Sequence, residues 1–217
     1  MKLLFDCDGT ILDSMHIWTE PINRIFEKYN FSLESLTKEE KGEIEALPLG
    51  GMCDYIAENL ATDMTSDEVR EYFNEIIEEG YRSSLMPKDG TLAKLEELHE
   101  AGFQMAIASS TDSMYLKLAF ERLNIGKYFD FFTTPDLTNA RKSDKEFWQY
   151  AIDEFGVSPS EIMLFDDALY AVKAANTAGI MTCGVKDFPY NENEWDDIVD
   201  NANFVMDTIA DINIEDL

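Results

Sequence analysis

Three apolar segments of this chain run straight into residues that can do chemistry. Leu3-Leu4-Phe5 leads to Asp6 and Asp8, Phe103–Ala108 to Ser109 and Ser110, and Glu161–Phe165 to Asp166 and Asp167. Lys142 lies in the loop after a fourth such segment, Phe129–Thr133. Carboxylates gathered without basic partners repel one another, so four of them need a reason to converge. A hard divalent cation is one: Mg2+ takes oxygen ligands, typically a few carboxylates with water and substrate phosphate. A carboxylate held beside a bound phosphate can also attack phosphorus as a nucleophile. The obstacle is charge. A singly charged carboxylate and a doubly charged phosphate at ~3 Å repel by about 11 kcal/mol at an effective dielectric of ~20. Both Mg2+ and an ammonium such as Lys142 are needed to offset repulsion on that scale.

These groups meet only if the strands bring their ends together. Residues 2–5 read as a short buried strand that ends in a polar turn. From about 15 to 84 the pattern is helical throughout. Ile22, Ile25, Phe26 and Tyr29 share one helix face, and Val69, Phe73, Ile76 and Ile77 share another. Thr37 with Glu40 and Thr65 with Glu68 have capping-box spacing. After Pro87 strands and helices alternate. A helix at Thr91–Glu100, stopped by Gly102, precedes the strand Phe103–Ala108. Helical faces follow at Leu116, Ala119, Phe120 and Leu123, then at Trp148, Ala151, Ile152 and Phe155. Glu161–Phe165, Ile180–Val185 and Phe204–Met206 complete the strands, with a small-residue helix face at Ala171, Ala174, Ala175 and Ala178. Repeated strand–helix units predict an α/β fold, a Rossmann-like parallel sheet core with helices on both faces. Ligands bind such sheets at the carboxyl ends of the strands. The helical block interrupts the core, so the expected division is a core of residues 1–14 and 85–217 with an inserted all-helical cap domain at 15–84.

The order of these motifs resembles the haloacid dehalogenase superfamily over nearly the whole chain, and the helical insertion resembles the cap of its β-phosphoglucomutase-like subgroup. Asp6-Cys7-Asp8-Gly9-Thr10 is similar to the first motif of that superfamily and Ser109 to the second. Lys142, in Lys142-Ser143-Asp144-Lys145-Glu146-Phe147, is similar to the third, and Asp166-Asp167 to the fourth. The resemblance implies that Asp6 forms an aspartyl-phosphate and that Asp8 protonates the leaving group and then activates water. It implies that Gly9, Thr10, Ser109 and Ser110 hold phosphate oxygens and that Lys142 neutralises phosphate and Asp6. Mg2+ would be held by Asp6, Asp8 through its main-chain carbonyl, Asp166 and Asp167, with Asp166 binding directly or through water. Asp8 favours phosphoryl transfer over dehalogenation. The chain departs from the pattern at Ser143, where the superfamily has proline, and Lys145 is a second lysine within reach of the same role. Pro87-Lys88-Asp89-Gly90 stretches the usual Pro-Gly.

Composition narrows the partners. Seventeen basic against 44 acidic residues give a net charge of −27, which argues against nucleic acid and anionic membranes. No apolar run has the length of a transmembrane helix. Asp6 cuts the N-terminal apolar run too short for a signal peptide, and three scattered cysteines make neither a disulfide framework nor a zinc site. The expectation is a cytoplasmic monomer acting on a small phosphorylated metabolite. A phosphatase and a sugar-phosphate mutase differ in whether the cap holds a second phosphate. Mutases of the subgroup carry an arginine in a Gly-x-x-Arg stretch, and the nearest stretch here is Gly50-Gly51-Met52-Cys53. A histidine of the first cap segment aligns with Trp18. Residues 15–84 carry six basic and sixteen acidic side chains, a net −10. The sequence therefore favours a Mg2+-dependent phosphatase over a mutase, with a non-catalytic phosphate-binding protein as the third reading. Met15, Trp18 and Met52 are candidates to face a substrate cleft.

Overall fold

The computed structural model describes residues 1–31, 49–61 and 63–217. The chain divides into two compact units, one made of Met1–Met15 with Tyr81–Leu217 and the other of His16–Gly80.

The larger unit is built on a six-stranded, fully parallel sheet: β1 (Lys2–Phe5), β2 (Met105–Ala108), β3 (Phe132–Thr133), β4 (Ile162–Asp166), β5 (Met181–Val185) and β6 (Phe204–Met206). The order across the sheet is β3-β2-β1-β4-β5-β6. The chain thus steps from β1 through β2 and β3 to one side and returns to the other, and the switch falls between β1 and β4. That is where a doubly wound sheet opens a crevice at its carboxyl edge. Register makes the crevice specific. Phe5 lies level with Ile107 of β2 and Phe165 of β4, so the residues that follow all three strands emerge together.

β1 and β2 are buried along nearly their whole length, as expected of strands covered on both faces. Phe5 stacks on Phe165, with ring centroids 4.9 Å apart. One core cluster joins Leu4, Ala106, Ala108, Ile162 and Leu164 of the sheet to Phe147, Trp148 and Ala151 of one helix and Ala171 and Ala175 of another. The alanines let those helices approach the sheet closely. Helices at Thr91–Glu100, Ser113–Leu123, Lys145–Phe155 and Leu169–Thr177 lie where the sequence places them, and Pro135–Thr138 and Trp195–Asn201 are further helices that no apolar face marks.

Two strands are shorter than their apolar runs. β2 begins at Met105 rather than Phe103, and β3 is only Phe132–Thr133. Residues Gly126–Tyr128 form a 3-10 turn, and Phe129 owes its apolar character to packing against Phe120 and Phe5, with centroids 5.5 and 6.3 Å away.

In the other unit the described elements are helices: α1 (Met15–Lys28, which starts in the larger unit), α2 (Leu49–Asn59) and α3 (Ser66–Glu79). Its core contains Ile25, Phe26, Met52, Cys53, Ile56, Val69 and Phe73. Met52 is therefore a core residue of this unit, and Cys53 is fully buried beside it. Thr65 and Glu68 form the expected capping box at the start of α3, an arrangement whose N-cap is worth about 1 kcal/mol. The Thr37–Glu40 pair lies outside the described residues. A single π-helical turn, Gly80–Ser84, carries the chain back into the larger unit. No described helix is long and apolar enough to cross a membrane.

Candidate active site

β1 ends in a tight turn. The Ile11 and Leu12 amides donate to the Cys7 carbonyl, and the Gly9 amide donates to the Leu12 carbonyl. Gly9 has φ of +84°, and a Cβ there would lie 2.5 Å from Asp167 Oδ2 and 2.7 Å from Asp187 Oδ2. Only glycine satisfies both the left-handed backbone and that approach. The turn buries Asp6 and leaves Asp8 half-buried.

Asp6 is buried. Lys142 Nζ donates to its Oδ1 at 2.5 Å and lies 2.6 Å from Asp166 Oδ2. Lys142 is only 2% exposed, whereas Lys145, on the first turn of the helix that follows, is exposed. Of the two candidate lysines, Lys142 is the one brought to the carboxylates. The second oxygen of Asp166 accepts from the Ala168 amide at 2.9 Å. Asp167 Oδ1 accepts from the Thr10 hydroxyl at 3.2 Å. One oxygen from each of Asp6, Asp166 and Asp167 lies within 4.8 Å of the others.

The charges here are uneven. Burial, opposed by Lys142 and reinforced by Asp166, Asp167 and Asp8, pushes the Asp6 carboxyl well above the usual carboxylate range. Burial also raises Asp166, against the pull of Lys142. Asp167 is pushed up to about 7 by burial and by the neighbouring Asp166 and Asp187. Burial alone would lower Lys142, but Asp166 and Asp6 outweigh it and hold the ammonium charged. One ammonium, in contact with Asp6 and Asp166, therefore stands against three buried carboxylates. That deficit of positive charge, and a donor set made only of oxygen, fit a hard divalent cation. They do not fit zinc or copper, which favour sulfur and nitrogen.

Asp8 faces a ring of hydroxyls. Ser14 Oγ and Tyr81 Oη donate to its Oδ1 at 2.6 and 2.5 Å, and Thr111 Oγ1 donates to its Oδ2 at 2.8 Å. Three donors lock the orientation of this carboxylate. Ser109 is buried at the end of β2, and its Oγ accepts from the Thr111 amide at 3.1 Å, so its own hydroxyl hydrogen is left to donate elsewhere. Ser110 is exposed and shares a 2.7 Å hydrogen bond with Tyr170. Gly9 and Thr10 complete the set, with the Thr10 hydroxyl committed to Asp167.

Ser14, Thr111, Tyr81, Tyr170 and Asp187 are brought to the site without being singled out by the sequence as site residues. Tyr81 carried no signal, since it stands 73 residues from Asp8 across the helical insertion. Asp187 did carry one: it closely follows β5, and the strand-end rule that picked Asp6 and Asp166 applies to it equally.

A doubly wound sheet with strand-end carboxylates around a buried lysine defines a class, and comparison with known proteins names it. The profile of the family described as haloacid dehalogenase-like hydrolase matches residues 3–185, and the chain belongs to that family. It is 27% identical to the phosphorylated carbohydrates phosphatase of Thermotoga maritima, over 82% of this chain and 81% of that one. It is 26% identical to the phosphoglycolate phosphatase of Vibrio parahaemolyticus, over 98% and 94%. The crystal structure of a Thermotoga maritima protein assigned as a beta-phosphoglucomutase matches with a TM-score of 0.77 at 22% identity, covering 97% of this chain and 95% of that one. At that identity the likeness is one of fold.

Proposed function

We propose that the protein is a Mg2+-dependent phosphatase that hydrolyses a small phosphate monoester, a sugar phosphate or similar metabolite, through an aspartyl-phosphate on Asp6. The observation that carries this reading is Asp6 itself. It is a buried carboxylate at the end of β1, tied through one oxygen to Lys142, with Asp166 and Asp167 close by and the hydroxyl-bound Asp8 two residues on. The phosphatase names of the two relatives support phosphate esters as the substrate class. The α/β unit carries the chemistry, and the helical unit is the cap insertion.

In this mechanism Lys142 orients Asp6 and offsets part of its repulsion from the phosphate. Asp6 attacks phosphorus, and Asp8 protonates the departing oxygen. Asp8 then takes a proton from the water that cleaves the aspartyl-phosphate. Ser109, Ser110 and the amide of Thr10 hold phosphate oxygens, while Gly9, whose amide donates to the Leu12 carbonyl, shapes the turn that lets the phosphate approach. Asp6, the Asp8 carbonyl, Asp166 and Asp167 would hold Mg2+, which when bound neutralises phosphate charge and fixes its orientation.

The test is phosphate release from a generic aryl phosphate and a panel of phosphorylated metabolites, with Mg2+ and with chelator. Asp6→Asn keeps the size of the side chain and removes the nucleophile, so turnover should fall at least ~10³-fold with the fold intact. Turnover within tenfold of wild type, with unchanged metal binding, would remove Asp6 from this role. Hydrolysis is favoured over isomerisation because Cys53, at the position aligned with the mutase arginine, is buried in the core of its unit and offers no cation. Glucose 1-phosphate with trace bisphosphate should therefore yield no glucose 6-phosphate above background. Efficient isomerisation would make the protein a mutase. Binding of phosphate esters without turnover of any would make it a binding protein.

A further inference from the structure

Behind Gly9 sits a carboxylate that the mechanism does not use. Asp187 follows β5 and is only 6% exposed. Every group on it is accounted for but one. Its amide donates to Asn191 Oδ1 at 3.0 Å, and its Oδ1 accepts from Lys88 Nζ at 2.7 Å. Asn191 in turn donates through Nδ2 to the carbonyls of Asp167 and Val185, each at 2.9 Å. One asparagine thus ties the loop after β4 to the loop after β5. The ammonium of Lys88 is steadied by the Lys186 carbonyl at 3.2 Å. Lys88 belongs to the Pro87–Gly90 stretch in which this chain lengthens the usual Pro-Gly.

The remaining oxygen, Asp187 Oδ2, is buried and has no hydrogen-bond partner among the described residues. It faces the side of Gly9 where a Cβ would stand, 2.7 Å from that position, with Asp167 Oδ2 2.5 Å from the same point. A buried carboxylate oxygen without a donor is costly, and natural proteins rarely leave one so. A water polarised by a cation is the donor that such an oxygen takes most readily. Residues that hydrogen-bond to the coordination shell of a metal are a regular part of such sites. We infer that Asp187 is a positioning residue of the metal site, its Oδ2 accepting a hydrogen bond from a water on the cation held by Asp6, Asp166 and Asp167, while Lys88 and Asn191 fix it in place. The inference rests on the metal-dependent reading above and extends it to a residue outside the four motifs.

Calorimetric titration of Mg2+ into the full-length protein, stripped with chelator and without substrate, tests it. Asp187→Asn keeps the shape but turns a donor toward the site, so the dissociation constant for Mg2+ should rise 10-fold or more, with the circular dichroism spectrum unchanged. A purely structural role for the Lys88–Asp187 pair would instead lower the unfolding midpoint in chelator and leave the Mg2+ affinity within twofold, which would overturn the inference. Should Asp187→Asn fail to fold, a crystal structure of the wild-type Mg2+ complex decides. A metal-bound water within ~3.2 Å of Asp187 Oδ2 is expected, and its absence, or direct coordination by Asp187, refutes the role. If the wild type binds no Mg2+ at all, the metal-dependent reading fails with it. If the wild type and Asp187→Asn bind equally, only the role of Asp187 fails.

Discussion

Substituting Asp167 by asparagine in metal-free protein should stabilise it, by an amount that depends on pH. In the folded chain Asp167 is pushed up to about 7, by burial first and by Asp166 and Asp187 next, whereas an unfolded chain leaves it near ~3.9. Between those values the folded state binds the extra proton, so stability falls as pH rises and levels off above pH 7. Lowering the pH from 8 to 5 should return about 3 kcal/mol through this one group, at roughly 1.4 kcal/mol per unit below its folded value. The net charge of −27 also makes the whole chain more stable as carboxylates protonate, so the informative quantity is the difference between wild type and Asp167→Asn. The amide keeps an acceptor for the Thr10 hydroxyl and carries no charge. In chelator the variant should be the more stable by a few kcal/mol at pH 8, and the gap should close toward pH 5. Urea unfolding at a series of pH values, with and without Mg2+, measures this. Mg2+ should stabilise the wild type at pH 8 and stabilise the variant far less. A variant no more stable than wild type at pH 8 in chelator, or a gap that does not narrow on acidification, would refute the claim that Asp167 is a strained, cation-seeking carboxylate.

Lys142→Met removes the ammonium shared by Asp6 and Asp166 and leaves two buried carboxylates without it, a change expected to cost about 3–5 kcal/mol. It should also abolish turnover, while Lys145→Met, at an exposed site, should leave both unfolding midpoint and activity within about twofold. Gly9→Ala forces a Cβ onto Asp167 and Asp187 at a φ of +84°. Calorimetry should show weakened Mg2+ binding, and urea unfolding a loss of about 1–3 kcal/mol. Tyr81→Phe removes one of three hydroxyl donors to Asp8. A hydrogen bond to a charged group is worth about 1.5–3 kcal/mol, so turnover should fall roughly tenfold or more with Mg2+ affinity unchanged; no loss of turnover would mean that Ser14 and Thr111 hold Asp8 unaided.

Much of this protein is legible in one dimension. A parallel sheet buries both faces, so its strands are written as unbroken apolar runs, and Leu3-Leu4-Phe5 and Glu161–Phe165 mark β1 and β4 plainly. Parallel strands also collect their carboxyl ends at one edge, which is why Asp6, Asp8, Ser109, Asp166 and Asp167 can be gathered from their places after those runs. The same rule reached Asp187 in principle. What the residue order leaves open is choice among equivalent neighbours. Lys142 and Lys145 differ by three positions, and only the path of the loop ahead of Lys145–Phe155 takes one ammonium to Asp6 and leaves the other in solvent. Met52 is a candidate to face a cleft by sequence and Cys53 falls at the arginine-aligned position, and the packing of α1, α2 and α3 makes both core. The hydroxyl ring around Asp8 joins residues 6, 73 and 103 positions away. Such contacts follow no periodicity, because hydrogen-bond geometry is satisfied by position in space and not by spacing along the chain. The sequence determined which strand ends carry charge; the tertiary structure alone decided which oxygen each charge faces and which one is left without a donor.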